Sequence, residues 1–160
     1  MEIALFEPRI PQNTGSIART CAAFNLPLNL IEPLGFSLED KYLKRAGLDY
    51  WHLLEIEKFK NFYEFYKSKK KRRIISFSKK NGVFLNEFIF ENDDTLLFGR
   101  EDKGLPDEII NQSSALVSIY MPKKVRNPNL KDGVRSLNLS VACGIAIYEA
   151  NKQLTKKNYQ

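Results

Sequence analysis

Short apolar runs set between helix-length segments constrain this chain more than any other feature. Ile3 to Phe6, Leu28 to Ile31, Ile74 to Ser78, Leu96 to Phe98 and Leu116 to Tyr120 read as strands. Asn13 reads as the cap of a helix reaching about Phe24, and Asp40 to Gly47 as a short helical stretch before a loop or short strand near Leu53. Phe59, Phe62, Tyr63 and Tyr66 fall at i, i+3, i+4 and i+7, the spacing of an amphipathic helix. Pro106 to Asn111 reads as a short helix, since proline suits a first helical turn. The last helix runs from Asn138 to Leu154, with Ser136 or Asn138 as cap and a stripe of Leu139, Ala142, Cys143, Ala146, Ile147 and Ala150. Strands alternating with helices predict an α/β fold, a mostly parallel sheet with helices on both faces. Without repeats or a low-complexity linker, residues 1–160 read as one domain.

The charge balance narrows the partners. Lys and Arg total 25 against 19 Asp and Glu, a net charge of +6 that favours a polyanion such as nucleic acid. Lys67, Lys69, Lys70, Lys71, Arg72 and Arg73 form a basic run, either a solvated helix end or a phosphate-tracking patch. No apolar run approaches the ~18–20 residues of a membrane span, and Met1 to Pro8 lacks the layout of a signal peptide, so the expected compartment is the cytoplasm. With Cys21, Cys143 and His52 as the only cysteines and histidine, a multi-ligand Cys/His zinc site cannot be assembled. The two thiols read as buried and structural.

Three segments carry candidate chemistry, each with a plainer alternative. Asn13 to Arg19 opens a helix after the first strand, so its amides and dipole suit an anion, with Arg19 adding charge. A capped helix with a surface arginine is the alternative. Gly99 and Gly104 are spaced like a P-loop, but Leu105-Pro106 stands where Lys-Ser/Thr would be, and no G-x-G-x-x-G occurs. A glycine turn at a strand's carboxyl end still lets a ligand approach the backbone, or is an ordinary strand-to-helix turn. Ser136, Asn138 and Ser140 either face a ligand or merely cap the last helix.

Taken in order, these segments resemble the three motifs of the SPOUT methyltransferases over essentially the whole chain. Asn13-Thr14-Gly15-x-Ile17-x-Arg19 is similar to the first motif, and Phe98-Gly99-x-Glu101-x-x-Gly104-Leu105-Pro106 to the second. Ile119-x-Met121-Pro122 with Ser136-Leu137-Asn138-Leu139-Ser140 is similar to the third. Phe6-Glu7-Pro8, Ile31 to Phe36 and Arg45 to Tyr50 resemble the tRNA (cytidine/uridine-34) 2′-O-methyltransferases, which consist of the catalytic domain alone. Two features depart from the pattern: the Lys123 to Val134 loop is longer and more basic than usual, and Arg100 stands where proline is common.

The resemblance implies a C-terminal deep trefoil knot, a homodimer, a tRNA substrate, and S-adenosylmethionine as methyl donor with no metal. It places the cofactor on Phe77, Gly99, Met121, Ser136 and Leu137, largely through backbone. It makes Arg19, Glu101 and Asn138 the catalytic candidates, and the basic residues Arg126, Lys131 and Arg135 are the expected RNA contacts. Glu101 is expected to order its own loop or Arg19, and Asn138 the third motif. A guanidinium is a poor general base, so Arg19 acts as one only if an RNA phosphate helps, and otherwise orients and stabilises a nascent alkoxide. A non-catalytic RNA-binding module of the same fold is the main alternative, opposed by the joint presence of Arg19, Glu101, Ser136 and Asn138. A nucleotide-dependent α/β enzyme is opposed by the missing phosphate motifs.

Overall fold

A computed structural model describes residues 1–38, 52–79, 81–122, 134 and 136–158. In chain order the elements are β1 (Glu2–Phe6), α1 (Pro11–Ala23), β2 (Leu28–Ile31), β3 (Ile56–Phe59), α2 (Phe62–Ser68), β4 (Ile74–Phe77), β5 (Val83–Phe84), β6 (Thr95–Phe98), α3 (Asp107–Gln112), β7 (Ala115–Ser118) and α4 (Leu139–Asn158). The strands form one sheet in the order β3-β2-β1-β6-β4-β7-β5, and every pairing is parallel.

Every residue of β1, β2, β4 and β6 is buried, which is why these strands are mostly apolar without strict alternation, each with one buried polar residue: Glu2, Asn29, Ser76 and Thr95. Alternate residues still serve opposite layers. Ile3, Leu5, Leu28, Leu30, Ile75, Leu96 and Phe98 join Ile17, Ala18 and Cys21 of α1 and Cys143, Ala146, Ile147 and Ala150 of α4. Ala4, Phe6, Ile31, Ile74 and Leu97 face Phe65 of α2 and Ile109 of α3. The expected α/β architecture with helices on both faces is the one observed. The segment 123–133, on which the expected knot turns, and the helix expected within Asp40 to Gly47 lie outside the described residues.

Some boundaries differ from expectation for local reasons. Phe59 ends β3 instead of opening a helix; Asn61 caps α2 by accepting the Glu64 amide at 2.9 Å. Glu64 answers by accepting the Lys60 amide at 3.2 Å. Leu53 sits in a turn, and the strand beyond it begins at Ile56. α1 starts at Pro11 with Ile10 as N-cap and no side-chain cap, so Asn13 is not the cap. Asn138 does cap α4, its Oδ1 accepting the amides of Ser140 at 2.8 Å and Val141 at 3.4 Å. Cys21 and Cys143 are buried and free; burial pushes the Cys21 thiol up to about 12 and raises Cys143 as well, as suits structural thiols.

Half of the basic run, Lys69, Arg72 and Arg73, is consumed in ion pairs at the amino-terminal edge of the sheet. Lys69 pairs with Glu2 at 3.1 Å and Glu57 at 3.3 Å, while Arg73 donates to Asp94 at 2.7 and 2.9 Å. Burial alone would raise the Glu2 carboxyl, but hydrogen bonds from Thr95 and Lys69, with the charges of Lys69 and Arg72, hold it below its ordinary value. Its contribution to stability is therefore complete above the unfolded carboxyl's pKa, near 4.5, and is lost as pH falls through the lower folded value. Glu2→Gln should cost about 1–3 kcal/mol at neutral pH and flatten the acid limb of a denaturation profile. An unchanged acid limb in urea melts would remove Glu2 from that role.

Candidate active site

A cavity of about 670 Å³ opens beyond the carboxyl ends of β4 and β6, where ligands of parallel sheets bind. Phe77 and Phe98, the last residues of those strands, stack at 4.6 Å with planes 16° apart. The lining includes Phe77, Gly99, Met121, Ser136 and Leu137, and also Glu101 and Asn138. Residues from three separated stretches thus meet on one surface. Arg19 lies outside this lining, exposed on α1. The expected RNA contacts Arg126, Lys131 and Arg135 lie outside the described residues.

The Gly99 to Gly104 turn folds on itself. Arg100 and Gly104 exchange backbone hydrogen bonds of 3.2 and 2.9 Å, and Gly104 adopts φ +72°, which favours glycine. A Cβ on Gly99 would stand 2.2 Å from the Gly104 carbonyl carbon and 2.4 Å from the Leu105 nitrogen. Gly99 is thus required first by the chain's own backbone, before any ligand approaches. The Arg100 guanidinium grips Asp102 with two bonds, 2.9 and 2.7 Å, and reaches Glu7 at 3.3 Å. The bonds from Arg100 hold the Asp102 carboxyl down at about 2.

Glu101 ties the motifs together. Its Oε2 accepts the Arg9 amide at 2.8 Å; its Oε1 accepts the Ile10 amide and the Asn13 side-chain amide, both at 3.1 Å. A carboxylate here also meets the positive end of α1. The Asn13 Oδ1 in turn accepts from Asn138 Nδ2 at 3.0 Å. One chain of hydrogen bonds therefore runs from the second motif through the first to the third. Glu101 holds the β1–α1 connection, a different segment from the second-motif loop or Arg19 expected of it. Asn13 was missed as a bridging residue. The signal was Pro11: a proline in the first turn moves the helix start ahead of Asn13 and frees its amide for tertiary bonds.

Chemically, the arrangement offers a half-apolar cleft with rigid amide and carboxylate dipoles at its rim, and among the described residues no group of three His, Cys, Asp or Glu is placed to hold a metal ion. Such a site positions a bound group. The tRNA (cytidine(34)-2'-O)-methyltransferase of Saccharophagus degradans is 43% identical over 152 residues, covering 95% of this chain and 94% of that protein. A solved structure described as giving structural insights into the 2-OH methylation of C/U34 on tRNA superposes with a TM-score of 0.88 at 43% identity, covering 97% of this chain and 96% of that one. An AdoMet-bound rRNA methyltransferase from Sinorhizobium meliloti gives a TM-score of 0.81 at 26% identity, covering 96% of this chain and 56% of that one. With residues 1–148 matching its sequence pattern as well, the chain belongs to the SpoU rRNA methylase family.

Proposed function

We propose that this protein methylates the ribose 2′-hydroxyl of the wobble nucleotide of tRNA, position 34, cytidine or modified uridine, with S-adenosylmethionine as donor, as a cytoplasmic homodimer. The Glu101–Asn13–Asn138 chain carries the reading, because it fixes all three motifs around one cleft. The cleft suits the donor: its volume lies within the roughly 300–1,000 Å³ of small-molecule sites, and Leu116, Ile119, Met121 and Leu137 provide apolar wall. Phe77, Gly99, Met121, Ser136 and Leu137 would hold it, with Gly99 lining the cleft at a position where the turn's own backbone leaves no room for a side chain. When bound, it supplies the methyl group on a positively charged sulfur.

The protein's own share is positioning. Glu101 and Asn138 hold the loops that border the cleft, and Arg19 orients the 2′-hydroxyl and stabilises negative charge as it develops. Arg126, Lys131 and Arg135 track the RNA backbone. Mass spectrometry of nucleosides from tRNA incubated with protein and labelled cofactor tests the reading. Label in a 2′-O-methylated nucleoside from position 34 is expected; label elsewhere, or none, overturns it.

The dimer is supported by the outer face of α4. Val141, Ile145 and Tyr148 are exposed and line an apolar groove of about 520 Å³ with Leu85, Ile119 and Tyr120. Ala146 and Ala150, on the apolar stripe of α4, are fully buried within their own chain, in the core shared with α1, and so lie away from this face. Their small size serves helix packing inside the protomer. Ile145→Asp with Tyr148→Glu should yield a folded monomer by sedimentation; a persistent dimer would place the interface elsewhere.

A further inference from the structure

We propose a second nucleotide pocket beyond the carboxyl ends of β2 and β3, which takes a base of the same RNA strand through an amino or ring N–H donor. A cleft of about 580 Å³ opens there, lined by Glu32, Pro33, Leu34, Phe36, Lys58 and Lys60 among others. It lies on the same edge of the sheet as the candidate active site. In the order β3-β2-β1-β6-β4 the two clefts are three strand steps apart, about 14 Å at the usual inter-strand spacing. A stacked nucleic-acid strand rises 3.4 Å per nucleotide, so the second cleft meets a residue about four positions from the methylated one.

The chemistry of the lining fits such a guest. Leu34 and half-buried Phe36 offer an apolar platform for a base. The Lys58 and Lys60 ammonium groups take part in none of the ion pairs among the described residues, whereas Lys69, Arg72 and Arg73 are all paired at the opposite edge. Among the described residues Glu32 likewise pairs with no cation, and its carboxylate is suited to accept from a base's exocyclic amine. The wall is also fixed to the first site. The Gly35 amide donates to the Pro8 carbonyl at 2.9 Å, a Cβ on Gly35 would stand 2.7 Å from the Arg9 Cα, and the Arg9 amide is bound by Glu101. The two clefts are therefore held in one register.

This inference rests on the RNA-modifying reading above, and the test separates their failures. Binding of an anticodon stem-loop RNA is measured by fluorescence anisotropy across salt concentrations, independent of turnover, beside single-turnover methylation. Lys58→Ala with Lys60→Ala should lower affinity about tenfold at low salt and reduce the log–log salt slope by about 1.4, two single-strand contacts, with the saturating rate unchanged. Lys70→Ala with Lys71→Ala, at the far edge of the sheet, is the charge-matched control and should leave both quantities as they are. Glu32→Gln should change base preference at one position other than 34 in a panel of substituted stem-loops. Wild-type protein that binds but does not methylate sinks the methylation reading alone. Unchanged affinity and slope in the Lys58/Lys60 variant, an equal loss in the control, or unaltered preference in Glu32→Gln overturns the second pocket.

Discussion

Arg19→Ala should lower single-turnover methyl transfer on saturating tRNA by about 10²–10³-fold, the usual worth of one preorganised group that stabilises developing negative charge. Because Arg19 is exposed on α1 and outside the cavity lining, the fold and cofactor affinity should survive the change. Arg19→Lys should recover only part of the rate, since an ammonium lacks the planar fork that can hold phosphate and hydroxyl together. The rate should rise with pH, because the nucleophile must lose a proton. Because Arg19 lies outside the lining of its own chain's cleft, in the proposed homodimer it is expected to serve the cleft of the partner subunit. Arg19→Ala chains mixed with Gly99→Val chains should then regain about a quarter of wild-type activity, since random pairing makes half the dimers mixed and each mixed dimer keeps one intact site. Near-normal transfer by Arg19→Ala would leave it a surface charge, and failed complementation would confine each site to one chain.

Gly99→Val should abolish cofactor binding, measured by calorimetry, and destabilise the protein by about 1–3 kcal/mol, as overpacking does. The clash lies within the turn, where the new Cβ would overlap the Gly104–Leu105 peptide. The displaced turn would carry Glu101 away from Arg9, Ile10 and Asn13, so the loss reaches all three motifs. Gly104→Ala separates strain from clash: nothing lies within 4 Å of its Cβ, yet φ is +72°, so a milder cost of about 1–2 kcal/mol is expected. Normal cofactor affinity in Gly99→Val would move the donor to another cleft.

The strands buried on both faces were legible because apolar residues dominate them without strict alternation, as in Ile74–Phe77 with its single Ser76 and Thr95–Phe98 with its single Thr95. Edge strands were not. β3 carries Glu57 and Lys58 and is half exposed, and β5 has only two residues, both exposed. Phe59 and Phe62 keep helical spacing across a strand end, a turn and a cap, so periodicity alone ran them together. Phe65, absent from the expected apolar set, is the fully buried aromatic of α2, while Tyr63 is largely exposed. The motif residues could be collected from their order along the chain. Their bonds could not, because the partners of Asn13 lie 88 and 125 positions away, beyond any local pattern.

The sheet's strand order also dictates how the molecule is made. β1, β2 and β3 form one half of the sheet, and the open side of β1 is closed only by β6, whose residues are synthesised some ninety positions later. Until then a strand that is apolar from Ile3 to Phe6 waits with one edge unpaired on the ribosome, an invitation to mispairing. The last rivet, Asn138 to Asn13, joins nearly opposite ends of the chain, so no nascent fragment short of the final helix can hold the complete cleft. A donor analogue that binds only the finished cleft would stabilise native protein selectively, by RT ln(1 + [L]/Kd), and so report the moment assembly is complete.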